Sequence, residues 1–535
     1  MTIFSFRRLP LSLLALALTL TLLIPAPASA LVTAFRQAIA EGVAAEDGLA
    51  EFYRGRAFEP IWTRTEDADR RNALLTALEG AADHGLPVSR YDPDTLRAAF
   101  MDADNAYARG QAEILASTMF LAYARDVQSG MLEPGDIIPV IARELPRRDP
   151  TDLLTGLMQG DPHDFMRALP PAHPEYVNLQ RRMMEMERVI GNGGWGEPVR
   201  GGRLELGARG PAVVALRDRL IAMGYMDRSA TAVYDAELQA AVQLFQVRHG
   251  LDADGVAGTG TLEEINVAPE QRLRQIILGM ERQRWLNWED PNRGDRHILV
   301  NIPDFHAFVI DDEEVSFSTR VVVGASPEDR ATPEFSDVME HMVINPSWYV
   351  PRSITVNEYL PQMQANPGGA AQMELMRGGR PVSRTGIDFT QYTRRNFPFD
   401  LRQPPGPNNA LGRVKFMFPN RHNIYLHDTP TRSLFERESR AFSHGCVRVQ
   451  RPLELAYLLL ARQEASPQSY FDGILSTGQE TQVDLATQIP VHIVYWTSFV
   501  DQDGALHFRR DVYDRDVRLW RAMEEAGVEL RSVSS

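Results

Sequence analysis

The chain has 535 residues, of which 44% are hydrophobic and 24% charged, and its formal net charge is −15. That is ordinary globular composition, enough for about three or four domains with cores of their own. The acidic balance excludes a general nucleic-acid binder, which needs an excess of lysine and arginine facing phosphate.

The N-terminus opens with Arg7-Arg8, continues through a Leu-rich apolar run from Leu9 to Ile24, and reaches Ala28-Ser29-Ala30. A basic start, a short apolar core and an A-x-A site read as a signal peptide over residues 1–30, cleaved before Leu31. The run contains Pro10 and is short for a membrane span, so a retained anchor is the weaker reading. No cysteine stands at the cleavage point to carry a lipid. Export to a bacterial periplasm is expected, without a transmembrane helix further on.

Residues 31–200 are predicted mostly helical. Leu74, Leu75 and Leu78 fall at helical spacing, as do Leu115, Met119 and Ala122. Gly85 is a helix stop, and Gly191-Asn192-Gly193-Gly194 with Gly201-Gly202 marks a linker. His84, His163 and His173 stand alone, and no catalytic constellation is visible here. Residues 203–267 form a compact three-helix unit. Its first helix carries Val213, Leu216 and Leu220. Its second carries Leu238, Ala241, Val242 and Phe245 behind a cap at Asp235. Its third opens with Thr261-x-x-Glu264 as a capping box.

From Leu273 to Trp285 the pattern is helical, and β signal follows at 297–302, 307–310 and 315–323, with Asp311-Asp312 as a hairpin turn. Further strands are expected at 342–345, 414–418, 424–427, 446–449 and 492–496. The polar, Gly/Pro-rich stretch 352–407 reads as an insertion, and Leu453 to Ala461 as a covering helix. The fold class is a multidomain α+β protein.

Cys446 is the sole cysteine, within Ser443-His444-Gly445-Cys446-Val447-Arg448. One thiol makes no intramolecular disulfide and no Cys-rich zinc site, and beside histidines it is a candidate nucleophile. The bland alternative is an inert buried thiol. Polar neighbours, Gly445 allowing close approach of a substrate, and Arg448 favouring thiolate argue against that. Two histidines compete as base. His444 lies on the nucleophile's own segment. His427 ends a separate strand-like run, which a cross-strand pairing would hold rigidly beside Cys446, so it is the better base. Asp428 would orient the ring by its side chain or its carbonyl; the residues alone leave both open. Backbone N–H groups around Gly445-Cys446 are the oxyanion donors, and Arg448 is placed to hold a substrate carboxylate. A zinc peptidase built on His427, His444 and Cys446 lacks any His-Glu-x-x-His pattern. A non-catalytic wall binder would leave the Cys446 constellation idle.

Two stretches carry a resemblance. Gly224-Tyr225, Tyr234-Asp235, Phe245-Gln246, His249-Gly250-Leu251 and Asp254-Gly255 resemble the common peptidoglycan-binding domain. His427, the gap 428–442 and Ser443-His444-Gly445-Cys446 resemble the signature of L,D-transpeptidases with a YkuD-like catalytic domain. Met280 to Leu286, Asn345-Pro346-Ser347-Trp348, Pro405 to Gly412 and Tyr425 to Pro430 are similar to the large periplasmic members.

The resemblance implies a signal peptide (1–30), a helical scaffold domain (31–200), a peptidoglycan-binding domain (203–267), a β-rich catalytic domain (272–498) with an inserted capping subdomain (352–407), and a C-terminal extension (499–535). It implies Cys446 as nucleophile, His427 as base oriented by the Asp428 carbonyl, and Gly445 in the oxyanion region. Ser443, His444, Arg448, Tyr425 and Trp348 would contact substrate. It implies no cofactor and no metal. The implied partners are peptidoglycan stem tetrapeptides as donor and acceptor in 3→3 cross-linking, and carbapenems as inhibitors. L,D-carboxypeptidase activity, or attachment of an outer-membrane protein to the wall, would use the same residues.

Overall fold

The computed structural model describes residues 27–43, 46–287, 294–326 and 329–531. The expected signal segment lies outside the described residues as far as residue 26, and its cleavage point falls in the helix Pro27–Gly42. Among the described residues no helix is long and apolar enough to cross a membrane.

The N-terminal part is helical. Ala68–Glu79 and Ala106–Ser129 are its main helices, and Tyr53, Trp62, Leu74, Leu78 and Phe120 form its core. Gly85 ends its helical run at φ 67°, a conformation glycine adopts at no steric cost. Inside this core the Glu113 carboxyl accepts N–H groups from Ile61 and Thr63 and the Tyr53 hydroxyl, so a buried polar group is hydrogen-bonded.

The next unit has the three expected helices, Pro211–Ala222, Ala236–Arg248 and Thr259–Ile265, packed on Val213, Leu216, Leu238, Val242 and Phe245. Asp235 caps the second by accepting Leu238 N–H at 3.0 Å. The expected capping box of the third does not form. That helix starts three residues early, with Gly258 as its N-cap in place of Thr261. Thr261 instead bonds Gln246 and Val256, while Glu264 turns out to Arg272 at 2.7 Å and Arg510 at 2.8 Å. Ion pairing to other parts of the chain outcompetes a local cap.

The helix Pro269–Arg284 is almost wholly buried. It packs against the helix Pro174–Gly191 and the C-terminal helix Arg515–Glu525 through Leu179, Met183, Ile276, Ile277, Leu519 and Trp520. It therefore joins the helical region to the rest and is no part of the sheet.

The β region runs β1 (Arg296–Asn301), β2 (His306–Asp311), β3 (Glu314–Gly324), β4 (Phe335–Ile344), β5 (Trp348–Tyr349), β6 (Glu374–Arg377), β7 (Arg380–Val382), β8 (Asp400–Gln403), β9 (Val414–Met417), β10 (Leu426–His427), β11 (Ala441–Ser443), β12 (Val447–Val449) and β13 (Thr481–Val494). The main sheet has the order β11-β3-β12-β10-β9-β4-β13-β1-β2. β3 also pairs with β2, so the strands close on themselves. The β2–β3 turn at Asp312 and Glu313 has φ 49° and 67°, the hairpin geometry that Asp311-Asp312 signalled. Alternate residues face inward: Val321, Val323, Met342, Ile344, Val414, Phe416, Leu426, Val447 and Val449 share one core with the helices Pro452–Leu460 and Pro467–Ser476.

Between β4 and β9 the chain leaves the sheet. β5 to β8 form a second sheet in the order β5-β8-β6-β7, with a core of Ile354, Leu360, Met363, Phe397 and Leu401. This insertion reaches back to Trp348, because β5 pairs with β8.

The C-terminal extension is structural. Arg515 is buried, donates to Glu334 Oε1 at 2.8 Å and to Thr332 O at 2.8 Å, and lies over the Tyr495 and Tyr513 rings. Thr332 in turn donates to Gly445 O at 2.7 Å. Arg515→Met leaves Glu334 buried without its partner. It is expected to lower unfolding stability by roughly 3–5 kcal/mol in urea titration followed by circular dichroism. A change under 1 kcal/mol would show that this pair is not a structural anchor.

Candidate active site

The site begins with strand register. Leu426 on β10 pairs with Val447 on β12 in parallel, and His427 pairs with Arg448. Leu426 and Val447 point into the core, so His427 and Arg448 point out of the opposite face. On the other side His427 is opposite Lys415 of β9, and Lys415 is opposite Val343 of β4. One row thus reads Val343, Lys415, His427, Arg448, Val322 across five strands.

Cys446 stands one residue before β12, half-buried, with its thiol directed to Asn423 O at 3.5 Å. Its segment is tightly held. Ser443 Oγ donates to Cys446 O at 2.5 Å and accepts Gly445 N–H at 3.1 Å. Gly445 has φ 111°, where a Cβ would also meet Ile424 at 3.1 Å, so glycine is required. The Gly445 N–H is therefore engaged, and of the Gly445-Cys446 pair only the Cys446 N–H has no protein acceptor among the described residues.

The His427 ring is buried, and its Nδ1–H donates to Asp428 O at 2.5 Å. The Asp428 side chain is occupied elsewhere. It accepts Arg413 N–H at 2.9 Å and Thr429 N–H at 2.7 Å, and Arg432 lies at 3.4 Å. The carbonyl, not the carboxylate, meets the ring. Gly412, at φ 61°, makes this possible, because a Cβ there would fall 2.3 Å from the Asp428 carboxylate.

His444 is not beside the thiol. It is exposed, and its Nε2 pairs with Glu358 Oε1 of the insertion at 2.5 Å. Tyr425 lies edge-on to His427 with centroids 5.6 Å apart, and Trp348 meets Tyr359 of the insertion at 6.2 Å. Arg448 is half-buried, and its Nε has no hydrogen-bond partner. Asn423 and Tyr425 meet the thiol, while Glu358 of the insertion reaches the neighbouring His444. Thr332, Gly412, Asn423 and Glu358 were not singled out by sequence. Only Gly412, just before a strand, carried a local signal.

Burial pushes the Cys446 thiol up to about 11, against the pull of Tyr425 and the Arg448 charge. The expectation that Arg448 favours thiolate holds for its sign but not for the outcome, because desolvation of the thiolate outweighs one partly screened cation. Burial, with Arg448 and Lys415 repelling a third cation, pushes His427 down to about 3, although the Asp428 carbonyl favours the proton. The resting pair is a neutral thiol and a neutral imidazole. With Nδ1–H held by the Asp428 carbonyl, Nε2 is the ring nitrogen left to accept a proton. Among the described residues no group of three His, Cys, Asp or Glu side chains is arranged to hold a metal.

Three family models match: a scaffold domain over residues 47–183, a "Putative peptidoglycan binding domain" over 209–265, and an L,D-transpeptidase catalytic domain over 295–484. A Haemophilus influenzae protein named "Putative L,D-transpeptidase" is 32% identical over 247 residues, 45% of this chain and 49% of that protein. The chain thus spans about half the length of this curated relative. An L,D-transpeptidase structure from Stackebrandtia nassauensis is 16% identical, covering 56% of this chain and 97% of that one at a TM-score of 0.22. Another, from Xylanimonas cellulosilytica, is 15% identical, covering 56% and 100% at a TM-score of 0.17. Scores that low bear on neither fold nor site. The family matches place an L,D-transpeptidase catalytic domain of the YkuD type and a peptidoglycan-binding-type module in this chain.

Iodoacetamide tests the resting state of the thiol, since Cys446 is the sole cysteine. With its pKa near 11 against a usual 9.0, alkylation at neutral pH is expected about 100-fold slower than for a free cysteine and should climb beyond pH 9. A rate that levels off below pH 8 would contradict the neutral pair.

Proposed function

We propose that this chain is a periplasmic L,D-transpeptidase that forms 3→3 peptidoglycan cross-links through a Cys446 acyl-enzyme. The observation that carries this reading is His427. Its Nδ1–H is held by the Asp428 carbonyl, and it sits in strand register with the segment that Cys446 opens. The family match to residues 295–484 supports the reaction class.

Sγ attacks the carbonyl of the third residue of a donor tetrapeptide, which ends in D-Ala, while Nε2 of His427 takes the thiol proton. The C–S bond forms and the carbonyl oxygen takes up charge, facing the Cys446 N–H. The intermediate collapses, the C–N bond to terminal D-Ala breaks, and the leaving amine takes the proton from Nε2. The amine of a second stem then attacks the thioester. Its proton goes to Nε2 and on to Sγ as the C–S bond breaks. Water in place of the amine gives hydrolysis, an L,D-carboxypeptidase outcome. The cleaved peptide bond supplies the energy, so no nucleotide is needed outside the cytoplasm. Ser443 and Thr332 hold the nucleophile segment, while Trp348, Tyr425 and His444 line the approach. The 203–267 module would keep the enzyme on the wall, and carbapenems would acylate Cys446.

The unaltered chain, incubated with a tetrapeptide muropeptide, should release D-Ala and yield cross-linked product by mass spectrometry. Failure to form any acyl adduct, with tetrapeptide or carbapenem, would refute the reading. His427→Ala is expected to slow acylation ~10²–10⁴-fold, and Asp428→Ala less, since the carbonyl remains. Collapse with Asp428→Ala alone would point to a side-chain triad.

The pH profile gives a separate check. The base must be neutral, and in the free enzyme burial first of all, then Arg448 and Lys415, disfavour its proton while the Asp428 carbonyl attracts it. With a pKa of about 3 instead of the usual 6.5, kcat/KM is expected to stay level from roughly pH 8 down to pH 5. A half-loss near pH 6.5 would contradict it.

A further inference from the structure

Lys415 is the sole lysine of the chain; every other basic side chain is arginine. It stands on β9 directly opposite His427, on the outward face of the sheet. Its row neighbours are Val343 on one side and His427 on the other, and Arg448 flanks His427 from the far strand. The base therefore lies between two cations. Neither cation has a carboxylate within ion-pair distance among the described residues, and Arg448 Nε is unsatisfied. Glu480, whose Oε1 accepts Ser347 N–H at 3.0 Å, tempers the Lys415 charge only from a distance.

Two unpaired, partly buried cations in a chain with 71 acidic residues call for an explanation. Desolvating a cation without a partner is unfavourable. The arrangement becomes favourable when an anion enters the cleft. Arg448 stands two residues past Cys446, on the strand beside the base. Lys415 lies on the opposite side of the base, so an anion held there sits next to the imidazole and away from the strand of Arg448. Directly opposite residues have Cβ atoms roughly 5 Å apart, so imidazole and ammonium are spaced to meet an amine and a carboxylate on one carbon. A compact ammonium suits that narrow position better than a planar guanidinium.

We propose that the Lys415 ammonium binds the carboxylate of the acyl acceptor, so that the site selects an amine on a carboxylate-bearing carbon, as in an α-amino acid, over water or a plain amine. The proposal rests on the acyl-transfer reading. The acceptor carboxylate pairs with Lys415 while the amine nitrogen faces the thioester. The C–N bond forms, the C–S bond breaks, and the amine proton passes through His427 to Sγ. Pairing Lys415 also removes one of the charges that oppose imidazolium, so an acceptor carrying a carboxylate assists its own deprotonation.

The test measures transfer from a tetrapeptide donor to glycine and to glycinamide, with hydrolysis as the competing product, by mass spectrometry. In Lys415→Met, which keeps the aliphatic stem, the glycine-to-glycinamide ratio is expected to fall about ten-fold or more relative to the unaltered chain. Lys415→Arg should retain part of the preference. A second readout needs no turnover. Acetylation of Lys415 by an N-hydroxysuccinimide ester, followed in its own peptide, should be slowed by N-acetylglycine and not by N-acetylglycinamide. An unchanged ratio in Lys415→Met, or equal protection by the two ligands, would overturn the proposal while leaving the acyl-enzyme reading intact. Absence of any acyl-enzyme in the unaltered chain would overturn both.

Discussion

The parallel pairing of β10 with β12 is the constraint on which the site depends. Leu426 and Val447 are locked into a dry core, and because side chains alternate, His427 and Arg448 must face the other way. A slip of one residue would bury the imidazole and expose two large apolar side chains, so core packing enforces the catalytic register. β9 repeats the rule: Val414 and Phe416 go inward and Lys415 comes out beside the base. The chemistry is thus set by which residues fall on the odd and even positions of three short strands.

Around that row the supports are mostly backbone and remote. The Asp428 carbonyl holds the ring, while the Asp428 carboxylate clamps the turn before β9 through Arg413 N–H. Gly445 is fixed from both sides, by Ser443 and by Thr332, and Thr332 is tied through Arg515 to the C-terminal helix. The insertion closes the approach through Glu358 and His444. Electrostatically the resting site is quiet. Burial keeps the proton on Cys446 and, with two neighbouring cations, keeps a second one off His427. A neutral thiol resists oxidation. Substrate carboxylates that pair with those cations would raise the basicity of the imidazole when it is needed.

Much of this was legible in the chain. Cys446 and His427 stand out as candidate nucleophile and base because they sit on short strand-like runs flanked by turn residues, and the preference for His427 over His444 follows from cross-strand geometry. The apolar alternation at 297–302, 315–323 and 414–418 gives most of the sheet. Other parts were not legible. β13 begins at Thr481, but its first half is mostly polar, it bulges against β4 between Asp484 and Ile489, and Pro490 follows, so its periodicity is broken. Phe335 to His341 of β4 is likewise half polar. The Thr261-x-x-Glu264 box failed because Arg272, on the next helix, and Arg510, distant in sequence, compete for Glu264. Arg515, Thr332 and Glu358 act on the site across more than eighty residues of chain, and no local pattern reports such contacts. The fate of the thiol proton was misjudged because sequence names the neighbouring charge but not the depth of burial.

The central claim is that His427 rests as the neutral Nδ1–H tautomer with Nε2 free. Nitrogen-15 NMR of the imidazole rings, with the His427 signals assigned by difference against His427→Gln, measures this directly. The account predicts a neutral ring at pH 5, with the proton on Nδ1 and Nε2 showing the shift of an unprotonated nitrogen. An imidazolium at that pH, or a proton on Nε2, would contradict it.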